Sequence, residues 1–121
     1  MINRLYTKML RVRRFEERLL ELFAEGAISG TTHCCIGQEA NAVGVIEHLD
    51  ERDVIFSNHR CHGHYLVRTE DVTGLLAELM GKEGGLCAGR GGSQHLCAKN
   101  FFTNGVQGSI VPVAAGMALA E

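Results

Sequence analysis

Apolar residues recur every three or four positions over residues 3–25, which places them on one face of a helix with 3.6 residues per turn. This stripe consists of Leu5, Met9, Val12, Phe15, Leu19, Leu22 and Phe23. Charged residues between Arg11 and Glu21 occupy most of the other faces, and we expect them to be solvated, with surface pairs such as Arg14 with Glu17. The pattern predicts an amphipathic helix that leads the chain within residues 1–30.

Shorter patterns follow this helix. Residues 38–48 predict a second helix, and residues 71–80 predict another, which Asp71 caps and Gly81 follows. The β-branched and aromatic run at residues 53–57 is typical of a buried parallel strand. We therefore expect an α/β protein.

The end of the printed sequence is small and apolar. Residues 109–121 predict a buried helix, with Pro112 near its start. Because the apolar pattern is still running at Glu121 without a capping residue, we expect a longer natural chain.

Composition narrows the function classes. The chain has 121 residues, 45% of them hydrophobic, and a formal net charge of −2, which argues against nucleic acid and anionic membranes as partners. No stretch approaches the roughly 18–20 apolar residues that cross a bilayer, so we expect no membrane span. Five cysteines without a secretory signal favour a reducing cytoplasm. Glycine is unusual, because eight of the 15 glycines lie between Gly81 and Gly108, which indicates specialised loops.

Histidines gather in the polar loops, and this clustering indicates a site. They are His33, His59, His62, His64 and His95. Arg60 directly follows the predicted strand, where a guanidinium can hold a phosphate or carboxylate, although a surface salt bridge is the alternative. Nearby imidazoles suit proton transfer at a carbonyl carbon.

Two other kinds of site are open at this point. The histidines and cysteines together offer enough ligands for a Cys/His metal-binding domain, although no Cys-x-x-Cys spacing occurs. The glycine-rich residues 81–93 offer backbone N–H groups for a phosphate, although they fit no nucleotide-binding motif.

Five motifs in order along the chain resemble one family, the alpha subunits of thiamine-diphosphate-dependent 2-oxo acid dehydrogenase first components. This family includes the pyruvate, branched-chain and acetoin dehydrogenases. The motifs are MLRVRRFEE at 9–17, GTTHCCIGQEA at 30–40, HRCHG at 59–63, GRGGSQH at 89–95 and NGVQGSIVPVAAG at 104–116. The resemblance implies the amino-terminal part of one thiamine-diphosphate-binding domain over residues 1–121, with a mostly parallel sheet flanked by helices.

The resemblance also implies an activity, the oxidative decarboxylation of a 2-oxo acid with acyl transfer to lipoamide. By position, Arg60 and His59 resemble the residues that bind the cofactor's diphosphate. Ala98, Gly105 and Gln107 resemble those along its aminopyrimidine. Of the two residues that resemble catalytic histidines, His33 resembles the one beside the substrate carbonyl and His62 the loop histidine near the reacting centre.

The family further implies partners and a metal. Its members work with a beta subunit and a lipoyl-bearing acyltransferase component, and they hold Mg²⁺ through a Gly-Asp-Gly segment and a later Asn, which we expect beyond residue 121. We therefore expect part of a hetero-oligomeric enzyme that is inactive as this segment alone. A noncatalytic assembly module of the same fold is the rival interpretation.

Overall fold

The computed structural model describes residues 2–120. Within them lie five helices and three short strands. In chain order these are α1 (Ile2–Ala24), α2 (Glu39–Ile46), β1 (Ile55–Ser57), α3 (His62–Thr69), α4 (Val72–Leu79), β2 (Cys97–Ala98), β3 (Phe101–Thr103) and α5 (Ile110–Ala120).

Helix α1 confirms the predicted leading helix and packs against α2 and α3. Its surface pair Arg14 with Glu17 forms at 2.7 Å. The expectation that all of its charges are solvated is wrong, because Glu16 is completely buried. Lys8 and Arg13 also form ion pairs, Arg13 with Glu39 of α2 and Lys8 with Glu47, the residue directly after α2. These ion pairs dock α2 onto α1.

The sheet is small and mixed, in the order β1-β3-β2. Strands β1 and β3 are parallel, with Ile55 opposite Phe101, whereas β2 and β3 form an antiparallel hairpin. The prediction of a mostly parallel sheet is therefore wrong for residues 2–120. The tight hairpin turn contains Asn100 at a φ of 57°, a conformation that asparagine tolerates better than most residues.

Helix α3 was not predicted, because polar residues at 58–64 indicated a loop. It begins at His62, and its first turn is buried, so tertiary packing overrides the polar composition. Helix α4 confirms the prediction for residues 71–80, since the Asp71 carboxylate accepts the Gly74 N–H at 2.8 Å.

Helix α5 confirms the helix predicted near the end of the sequence, but the prediction that this helix is buried is wrong. None of its residues is buried, and Leu119 is 89% exposed. Within residues 2–120, only β1 is in substantial contact with it, so its apolar side chains have little to pack against.

Candidate functional site

Two loops meet at the carboxyl ends of the parallel strands β1 and β3. Asn58 follows β1, and its side-chain oxygen accepts the Arg60 N–H at 2.8 Å. Asn104 follows β3 and accepts the Val106 N–H in the same way, also at 2.8 Å. The Asn104 N–H donates to the Ser57 carbonyl at 3.4 Å, which holds the loops side by side. Ligands commonly bind at this edge of an open α/β sheet.

His33 enters this region from the segment between α1 and α2. Its ring packs edge-to-face against the ring of His59, with centroids 5.3 Å apart and planes at 88°. The side-chain amide nitrogen of Gln94 lies 2.7 Å from His33 Nδ1 and 3.0 Å from His33 Nε2, so it contacts the edge of the ring that carries both nitrogens. Burial lowers the pKa of His33, and the neighbouring His59 and Arg60 lower it further. The ring is therefore mainly neutral at pH 7 and can accept a proton.

Besides His33 and Gln94, the side chains of Arg60 and His59 bring nitrogen atoms to this cluster. The Arg60 guanidinium donates through Nη1 to the carbonyl oxygen of Cys34, which aligns it beside His33. His59 Nδ1 is buried without a hydrogen-bond partner in residues 2–120. Two imidazoles, a guanidinium and a carboxamide in one place suit an anionic ligand.

Gly105 borders this cluster. A Cβ at this position would collide with the side-chain oxygen of Gln94. The absence of a side chain therefore leaves room for Gln94 to reach His33.

The structure brings His33, His59, Arg60 and Gly105 together. Ala98 lies in β2, opposite Phe101. Gln107 is exposed in the loop before α5.

His62 is completely buried, and both of its ring nitrogens have partners inside the protein. Nδ1 lies 2.9 Å from Glu16 Oε1, and Nε2 lies 3.1 Å from the Ser93 hydroxyl. In this structure neither nitrogen is free for a substrate, so the buried position argues against a direct catalytic role for His62.

Sequence reasoning missed Glu16, Ser93 and Gln94. Glu16 carried a signal, because it lies four residues after Val12 and three before Leu19, the spacing of the buried helix face. Ser93 and Gln94 lie within the GRGGSQH motif but had no signal of their own.

Glu78 organises the glycine-rich loop, and sequence reasoning missed it as well. Its Oε2 accepts the N–H groups of Cys87 at 2.7 Å and Gly89 at 2.9 Å. Its Oε1 accepts those of Gly91 at 2.7 Å and Gly92 at 3.1 Å. Burial raises the pKa of Glu78, but the four hydrogen bonds together outweigh it, so the net pKa is lowered. The protein's own carboxylate thus occupies the N–H groups that were considered for a phosphate.

The structure gives no support to a metal-binding domain in the part of the chain that it describes. No group of three or more His, Cys, Asp or Glu side chains within residues 2–120 is arranged to hold a metal ion. All five cysteines are free thiols. No helix in the same range is both long and apolar enough to cross a membrane.

Comparison with known proteins decides the family. Residues 7–121 match the family described as dehydrogenase E1 component. The chain belongs to this family.

Relatives of the E1 component family resemble almost the whole chain. This chain is 44% identical over 118 residues to the alpha subunit of acetoin:2,6-dichlorophenolindophenol oxidoreductase from Bacillus subtilis. The match covers 95% of this chain and 35% of that relative. The chain is 42% identical to the mitochondrial pyruvate dehydrogenase E1 component subunit alpha of Kluyveromyces lactis, with 97% of this chain and 29% of the relative covered. The human somatic form of that subunit is also 42% identical, with coverages of 95% and 30%. The chain thus spans about a third of the length of these relatives.

Proposed function

We propose that this chain forms one wall of a thiamine-diphosphate site in a 2-oxo acid dehydrogenase. The observation that carries the proposal is the cluster of His33, His59 and Arg60 at the carboxyl ends of β1 and β3, in a member of the E1 component family. The fold implied is the thiamine-diphosphate-binding fold, of which residues 2–120 supply helices and part of the sheet.

The residues present fit the cofactor's anionic end. Arg60 donates one of its N–H groups to Cys34, which leaves the rest of its guanidinium fork for a diphosphate. His59 Nδ1, buried and unpartnered within residues 2–120, supplies a second polar atom. When bound, thiamine diphosphate supplies the carbanion chemistry that removes carbon dioxide from a 2-oxo acid.

His33 is the group that we place beside the substrate carbonyl. Its lowered pKa keeps the ring neutral, and contacts with Gln94 and with the ring of His59 hold it in place. A fixed neutral imidazole can bind the substrate oxygen and exchange a proton there. We keep Ala98, Gly105 and Gln107 as proposed contacts of the aminopyrimidine, through the backbone where the side chain is small.

The proposal extends to the assembly. A beta subunit completes the site, a lipoyl-bearing acyltransferase component accepts the acyl group, and Mg²⁺ is held by residues other than those described. The names of the relatives include both acetoin and pyruvate, so both compounds belong in the test. The cytoplasmic location stays a prediction.

Cofactor affinity of the assembled enzyme, with its beta subunit and Mg²⁺, tests the proposal. We expect Arg60→Ala to weaken thiamine-diphosphate binding at least about tenfold, since a charge-assisted contact contributes about 1.5–3 kcal/mol. The matched control is Arg52→Ala, whose side chain is 91% exposed, and it should leave the affinity unchanged.

Unchanged cofactor affinity in the Arg60 variant would remove the assignment of the diphosphate site. A wild-type complex that neither binds the cofactor, nor releases carbon dioxide from pyruvate or another 2-oxo acid, nor cleaves acetoin would favour the noncatalytic assembly module instead.

A further inference from the structure

A buried hydrogen-bond chain begins on α1. Glu16 of α1 and His62 of α3 are both 0% exposed, although they lie 46 residues apart in the sequence. His62 Nδ1–H donates to Glu16 Oε1 at 2.9 Å. Hydrogen bonds from His62 and Cys35 outweigh the effect of burial, so the pKa of Glu16 is lowered and its carboxylate is ionised at pH 7.

Ser93 links this pair to His33. His62 Nε2 lies 3.1 Å from the Ser93 hydroxyl and 3.2 Å from the Ser93 carbonyl oxygen. An unprotonated Nε2 accepts the hydroxyl proton, and a protonated Nε2 donates to the carbonyl, so Ser93 is the partner in either state. The same hydroxyl oxygen accepts the backbone N–H of His33 at 3.1 Å.

Glu16 also holds the His33 segment at a second point. The Cys35 N–H and S–H groups donate to Glu16 Oε1 at 3.3 Å and 3.1 Å. One buried carboxylate therefore fixes the backbone two residues after His33 directly, and His33 itself through His62 and Ser93.

Stability alone explains this arrangement poorly. Glu16 Oε2 is buried without a hydrogen-bond partner in residues 2–120, which costs free energy. Well-packed apolar residues commonly match or exceed a buried ion pair in stability. The pair is better explained by what it holds in place.

We propose that Glu16 and His62 are positioning residues that fix His33 through Ser93 and Cys35. They do not touch the substrate, so His62 has a different role from the catalytic one that the family resemblance suggested. The inference rests on the proposed function, in which His33 faces the substrate carbonyl.

Turnover of the assembled enzyme gives the first test. Glu16→Gln and Ser93→Ala should each lower kcat about tenfold or more, because small displacements of a reacting group reduce the rate steeply. The affinity for thiamine diphosphate should fall by less than kcat does, since the held segment meets the Arg60 guanidinium through a single hydrogen bond, at the Cys34 carbonyl. The control is Glu17→Gln on the same helix, with a side chain 39% exposed, and it should retain the wild-type kcat.

A double-mutant cycle then separates positioning from general loss of structure. If Glu16 acts through His33, adding Glu16→Gln to His33→Ala should not lower kcat further. Effects that multiply in the double variant would overturn the inference. Wild-type kcat in both Glu16→Gln and Ser93→Ala would overturn it as well.

Amide hydrogen exchange provides a readout that does not depend on activity. Exchange at His33 and Cys35 should accelerate in Glu16→Gln, whereas unchanged protection would overturn the inference. If Glu16→Gln does not fold, Ser93→Ala provides the test of positioning. It is then measured in a double-mutant cycle with His33→Ala, and by the rate of amide exchange at His33. Wild-type turnover in His33→Ala would refute the proposed function, and accelerated exchange in Glu16→Gln would then still support the fixed backbone.

Discussion

Replacing Glu78 by glutamine tests how the glycine-rich loop is held. The carboxylate accepts four backbone N–H groups, two at each oxygen. An amide keeps only one oxygen, so two of these N–H groups would face an NH₂ group. An unsatisfied N–H costs about 1–3 kcal/mol when it is fully buried, and these hydrogen bonds are only part-buried, so we expect a loss at the lower end for two groups, about 2 kcal/mol in the free energy of unfolding.

Urea denaturation and amide hydrogen exchange of the purified protein measure this loss. We expect a lower urea midpoint and faster exchange at the amides of Cys87, Gly89, Gly91 and Gly92. Glu83→Gln, at an exposed position in the same loop, is the matched control and should change neither quantity. A loss below about 0.5 kcal/mol with unchanged protection of these amides would refute the reasoning, because buried hydrogen bonds to a charge contribute more than that.

Two further predictions concern the packing around the site. The hydrogen bond from Arg13 holds the pKa of Glu39 at about 2, below its ordinary value of 4.5. The ion pair therefore stabilises the fold fully above about pH 4.5, and this contribution is lost as the pH falls towards 2. Arg13→Gln should therefore lower the urea midpoint at pH 7, and its difference from the wild type should shrink as the pH falls from about 4.5 towards 2. A difference independent of pH would contradict this assignment. Gly89→Ala should destabilise the protein strongly in thermal unfolding, because φ is +72° and a Cβ would overlap the backbone of Gly81. Gly84→Ala, which meets nothing within 4 Å, is its control, and equal melting temperatures for the two variants would disprove the close approach.

Local patterns predicted several elements correctly. The stripe on α1, the Asp71 cap of α4 and the short apolar strand at β1 are all encoded over a few neighbouring residues. Strands β2 and β3 were missed because they are only two and three residues long and form through pairing rather than by periodicity.

The site shows the same division. Arg60, His33, His59 and Gly105 were found because their motifs place particular residue types next to a strand or a turn. Glu78 was missed because the loop that it holds lies 9–14 residues further along the chain. A sequence pattern does not indicate which carboxylate a set of backbone N–H groups will meet.

The sequence by itself determined the family, the main helices and the loops that carry the candidate site. Only the tertiary structure decided which charged groups are solvated and which are buried. Glu16 and Glu17 are neighbours with the same side chain, yet one is completely buried beside His62 and the other pairs with Arg14 at the surface. Their environments differ because neighbouring residues on a helix point about 100° apart, and the packing of α3 against α1 covers only one of those directions.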